Sequence, residues 1–285
     1  PREEVLTIIA AVFQKDLQWF LDDVPEEADI TPNKGARGGI SGMVLEPNFL
    51  FSNDILQIAI PEMLSQTGTT GRQFAHLLIR AHQEHHQNHF PDLERAAETV
   101  GLKRLPLSVD DIIAITKNMG LQIKWFLKTP QSVLDGVGYD TQSVVTSFFE
   151  APDTIFVNEL MKAQPHRLKY DLAVHIGHCI LHDKDGLKNV LVAGRNEISP
   201  LQESNMQSQS SYVDAQDILQ AWRDFECSFF AGALLCPKVP FRQLLDRNGY
   251  EINSGERVGV SESVAMRRMT AVSPYQHWHY FDAYA

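Results

Sequence analysis

The run Tyr170-Asp-Leu-Ala-Val-His-Ile-Gly-His-Cys-Ile-Leu-His182 narrows the folds open to this chain more than any other stretch. It reads as a helix from near His166 to His182, on which His178 and His182, one turn apart, share a face. A second long helix, Asp214 to Cys236, carries Phe225-Glu-Cys-Ser-Phe-Phe-Ala-Gly-Ala-Leu-Leu-Cys-Pro237 across its end. If the two helices pack together, Glu226 joins His178 and His182 as a three-ligand set with one open position, the arrangement of a catalytic zinc. The competing reading is that these histidines hydrogen-bond and pack inside a core.

Together the two runs resemble the metal-ligand helices of the ImmA/IrrE metallopeptidase-like family. The first helix of that pattern reads roughly Ala-His-Glu-Leu-Gly-His, with a further His one turn on. The second reads roughly Glu-Ala-x-x-Phe-Ala-x-x-Leu-Leu-x-Pro. Ala173, Gly177, His178, His182, Glu226, Phe230, Ala231, Leu234, Leu235 and Pro237 match. Two positions depart. Val174 stands where the resemblance puts the first zinc His, and His175 stands where it puts the general-base Glu. Valine cannot ligate a metal, and the group that should take a proton from a metal-bound water is replaced. The expectation is an inactivated peptidase-like site, with no catalytic residues and no zinc. Any metal would be held by a shifted set, His178, His182 and Glu226. A zinc metallopeptidase rearranged around those three residues is the alternative function.

The rest of the chain reads as helices around a small sheet. Residues 3–21 repeat apolar residues at helical spacing, 25–42 form a polar loop, and another helical pattern begins at Asn53. Thr70 to His89 predicts a helix with Phe74, Leu77, Leu78 and Ala81 in its stripe. It ends in His82, His85, His86 and His89 at three- and four-residue steps. They form either a transition-metal face or a solvated helix end. A short helix covers Leu93 to Val100. Ser108 caps a helix to Asn118, Gly120 ends it, and Leu121, Ile123 and Trp125 alternate in a strand. This helix–strand unit also resembles the opening of the ImmA/IrrE domain. Strands are expected at 143–150 and 154–158 around Ala151-Pro-Asp, with a long polar excursion from Asp183 to Ser211. Helices are expected at 241–247 and 260–269, before an aromatic tail, Tyr275 to Phe281.

The fold class is therefore α+β and mostly helical, a small sheet packed on zincin-like helices. The expected division is a helical linker or dimerisation region over 1–104, the ImmA/IrrE-like domain over 105–250 and an extension over 251–285. Apolar residues at 44% supply a sizeable core. A net charge of −11 repels phosphate backbones and makes this portion by itself a poor nucleic-acid binder. No membrane span or secretory signal is read, and three cysteines, 179, 227 and 236, fit a reducing cytosol. They are expected as small buried residues, with a three-Cys metal cluster as the alternative.

In the short-chain fatty-acyl branch of the family, the resemblance implies an XRE-type helix-turn-helix module, a helical linker, a degenerate peptidase-like domain and an extension. DNA would then be contacted through an N-terminal module lying before Pro1. The implied effector is an acyl-CoA or related metabolite, the implied assembly a homodimer and the implied location the cytoplasm. Tyr170, His175, His178, His182, Trp222, Glu226 and Phe229 are expected to face the effector cleft.

Overall fold

The computed structural model describes residues 71–131, 133, 144–182, 190–193 and 215–274, all within one compact unit, Gly38–Ala285. The expectations for 3–21, 25–42, the pattern from Asn53 and the tail from Tyr275 lie outside the described residues. Eight α-helices are described: α1 (Gly71–His85), α2 (Pro91–Gly101), α3 (Val109–Asn118), α4 (Pro165–Leu181), α5 (Ala215–Leu235), α6 (Lys238–Arg247), α7 (Ser254–Val258) and α8 (Glu262–Val272). Four strands are described with them: β1 (Gln122–Phe126), β2 (Val144–Glu150), β3 (Thr154–Asn158) and β4 (Val190–Ala193). The fold is α+β, mostly helical with one small mixed sheet. No described helix is long and apolar enough to cross a membrane.

Local chemistry sets several boundaries. The Ser108 hydroxyl accepts from the Asp111 amide while the Asp111 carboxylate accepts from the Ser108 amide, a reciprocal cap that fixes the start of α3. Gly120, with a φ of +75°, then turns the chain into β1. Pro91 opens α2 at a position where no amide is needed. Helix α1 stops at His85, because Gln87 and Asn88 adopt left-handed backbone angles, with φ of 51° and 55°. His89 therefore lies beyond the helix, and the four histidines do not form one continuous helical face.

The sheet order is β1-β3-β2-β4, with β1 parallel to β3 and both other pairings antiparallel. Strand β4 falls inside the polar stretch expected as an excursion, and pairs with β2 from Val144 to Phe148. That pairing slips between Val145 and Ser147. The slip turns the neighbouring hydroxyls of Thr146 and Ser147 to the same side, toward α4, where alternation would have separated them. Val145 and Phe148 face away and pack with Val133, Phe126 and Phe156.

The main core lies between the sheet, α4 and α5, and takes residues from both sides of 104 and 250. Phe90, Leu93, Ala96 and Ala97 enter it from the α2 side, and Ala265, Met269 and Val272 from α8. Helices α4 and α5 meet at Gly177, where an added Cβ would come within 2.9 Å of the Phe230 ring. A buried guanidinium joins the ends of this core. Arg268 donates both terminal nitrogens to the Glu94 carboxylate at 2.6 Å, and its Nε to the Cys236 carbonyl at 2.8 Å. Cys179, Cys227 and Cys236 are buried and unbridged, and burial pushes the Cys236 thiol up to about 12.

Candidate functional site

Helix α4 carries two polar stripes, each advancing by one turn. The first, Arg167, Asp171 and His175, faces the sheet. Thr146 and Ser147 both donate to Asp171 Oδ2, at 2.5 and 3.0 Å, and Arg167 Nε lies 2.7 Å from Oδ1. His175 Nε2 is 2.9 Å from Ser147 Oγ. Since the Ser147 proton goes to Asp171, His175 donates through Nε2 and is fixed in that neutral tautomer. Burial, and next the neighbouring His178, hold His175 down to about 3. Burial also raises Asp171, against the pull of Arg167 and the two hydroxyls. Ser147, Asp171 and His175 are each 0% exposed, so this Ser, His and Asp set cannot touch a substrate.

The second stripe is Val174, His178 and His182, on the side of Phe149 and α5. Val174 is buried in the main core. The His178 ring lies 5.8 Å from the Phe149 ring and 5.7 Å from that of His182. His182 Nε2 stands 3.4 Å from Glu226 Oε2 on α5, and Glu226 Oε1 accepts the Trp222 indole N–H at 3.0 Å. Burial, then the Arg223 guanidinium and His178, hold His182 down to about 3. The contact between His182 and Glu226 is thus one of a neutral imidazole with a carboxylate.

Trp222 continues the chain of contacts outward. Its ring lies 5.0 Å from that of His82 on α1, and His82 stacks on Phe90 at 5.1 Å. Phe229, expected at the cleft, meets Phe90 edge-on at 5.0 Å and lies under the Arg268 guanidinium. Tyr170 belongs to the main core, two turns before His178. The structure thus gathers His178, His182, Trp222 and Glu226, turns His175 to the sheet and sends Phe229 toward α2 and α8. Sequence reasoning passed over Arg223, and read His82 only with the other histidines of its helix and not with Trp222. Arg223 is three residues before Glu226, and that helical spacing was the signal available.

This polar set departs from the zinc pattern at several points. Val174 removes one ligand, Glu226 is engaged by an indole, and a fixed positive charge from Arg223 acts on His182. Among the described residues no three His, Cys, Asp or Glu side chains stand where they could hold a metal together. That statement includes His82, His85, His86 and His89. His89 Nδ1 is 3.1 Å from Lys238 Nζ, while the His82 ring turns inward to Trp222. Together they form a buried set of imidazoles, one carboxyl group and aromatic rings.

A solved structure, a Mycobacterium tuberculosis transcriptional regulator, resembles this one with 15% identity and a TM-score of 0.46, over 68% of this chain and 52% of that one. This chain thus spans about half the length of that protein. Among curated proteins none matches. The IrrE N-terminal-like domain, Peptidase_M78, matches residues 119–270. That span contains both ligand-type helices and the whole sheet and exceeds half of the 285 residues, and the chain belongs to the Peptidase_M78 family of IrrE N-terminal-like domains.

Proposed function

We propose that this chain is the effector-sensing part of a bacterial transcription regulator, built on a peptidase-like fold that no longer hydrolyses. One observation carries the reading. The residue at the base position, His175, is fully buried and committed to Ser147, while Val174 fills the first ligand position inside the core. Neither a metal-bound water nor a proton acceptor is available for hydrolysis.

The remaining polar groups lie on a contact path that suits signalling. His182 touches Glu226, Glu226 is held by Trp222, and Trp222 packs on His82 of α1. An effector that enters beside Trp222 and Glu226 must displace contacts that position α1. A helix that takes two positions, one with effector and one without, is the element a sensor needs. In this reading α1 belongs to the linker toward an N-terminal DNA-binding module, and two copies assemble as a dimer. The effector is an acyl-CoA or a related metabolite.

Titrating acyl-CoA species of graded chain length against the chain, and following the melting temperature, tests this directly. The expected outcome is a saturable rise for one range of chain lengths, lost in Trp222→Ala. No shift with any species removes the sensor reading. Zinc at full occupancy in tag-free protein, together with peptide hydrolysis abolished by His178→Ala, would replace it with the metallopeptidase.

A further inference from the structure

A cavity lies at the start of α4, away from His178, His182 and Glu226. It has a volume of about 310 Å³ and is walled by Pro106, Leu107, Val109, Pro165 and Val258. Three segments meet there: the lead into α3, the first turns of α4 and the end of α7. Lys169 supplies its floor and is only 4% exposed. The ammonium gives one hydrogen bond to the Leu107 carbonyl at 2.7 Å and another to the Val258 carbonyl at 3.1 Å. Its third N–H has no acceptor among the described residues.

No carboxylate within ion-pair distance balances this charge among the described residues. Asp111, whose charge acts on Lys169, and Glu251, the partner of Arg257, are already engaged. Asp111 is held by Arg104 at 2.8 Å and by Ser108, and Glu251 is held by Arg257 at 3.3 Å. A buried, unneutralised ammonium is costly, and burial draws Lys169 below the usual lysine range. Gly259 closes the space beside it. With a φ of +67°, and with an added Cβ falling 3.0 Å from Lys169 Nζ, this position favours glycine twice over. Arg257 and His166 add donors at the mouth.

We infer that this cavity binds a small carboxylic acid with a compact apolar body, its carboxylate on Lys169 and Arg257 and its body against Leu107, Val109 and Val258. A carboxylate completes the third hydrogen bond of the ammonium and neutralises its charge. The apolar walls favour such a ligand over a fully hydrated inorganic anion.

The test uses benzoate, its neutral isostere benzamide and inorganic phosphate, with affinity read by calorimetry on the native chain, Lys169→Met and Arg257→Gln. Methionine keeps the apolar stem and removes the charge. The expected result is saturable benzoate binding, at least about tenfold weaker in Lys169→Met and about threefold weaker in Arg257→Gln, with no heat from benzamide. Phosphate as tight as benzoate, benzamide equal to benzoate, or unchanged affinity in Lys169→Met would each overturn the assignment. If Lys169→Met does not fold, Arg257→Gln carries the test, and unchanged affinity there overturns it as well.

Discussion

The two polar stripes of α4 have the same spacing and different roles. On the sheet side, Arg167, Asp171 and His175 are tied to Thr146 and Ser147 in a dense network. On the α5 side, Val174, His178 and His182 meet Phe149 and Glu226 through looser contacts. In a hydrolase of the His-Glu-x-x-His type, position 175 would serve the second stripe, because its Glu works on the metal-bound water. Here the residue at that position serves the first. The side chain at that position belongs to the scaffold. One position of the helical pattern can therefore hold a strand against a helix while its neighbours face the other way.

The largest expected effect on this contrast comes from Asp171→Ala. It leaves Arg167 and two buried hydroxyls without their acceptor and should cost about 3 kcal/mol. Chemical denaturation would read this as a lower midpoint with an unchanged slope. A loss under about 1 kcal/mol would put the two stripes on an equal footing.

Acidification probes the same side. His175 is held at about 3 in the folded state, against about 6.5 when unfolded. Its contribution is complete above pH 6.5 and is lost as pH falls toward 3, by about 1.4 kcal/mol per pH unit. His182 adds a slope of the same sign, and Asp171, raised by burial, opposes both at the acid end. His175→Gln, which can still bond Ser147, should flatten the dependence measurably. An unaltered slope would mean that His175 is not the buried neutral group described.

Between the stripes, Gly177→Ala drives a methyl into the Phe230 ring and should cost about 1–3 kcal/mol. A melting temperature within a degree of the native value would show that α4 and α5 separate easily. The smallest stability change is expected from Trp222→Phe, which keeps a ring against His82 and removes the donor to Glu226, at about 1 kcal/mol. Its main consequence should appear in the effector titration, as a weakened thermal shift.

Local signals made part of this legible in advance. Ser108 gave the start of α3, Gly120 its end, and the two long helices were read from the runs that carry His178, His182 and Glu226. Strand β4 was hidden because four residues in a polar stretch become a strand only by pairing with β2. Helix α1 was read past its end, since nothing in Gln87-Asn88 announces left-handed backbone. In the site, the departures from the family pattern at 174 and 175 were readable in the sequence. The direction in which His175 points was not, because it depends on the slip in β2 that brings Ser147 to α4. Glu94 with Arg268, and Lys169 with its two carbonyls, join residues far apart in the chain and leave no local trace.

The Arg268 fork reaches back to an acid 174 positions earlier. A fragment ended at residue 250 would leave Glu94 as a lone anion in a greasy interior and expose the face of α5 that α8 covers. The last described helix is thus a keystone: shortened expression clones should fail from the tail inward, even though every residue of the two ligand-type helices is still present.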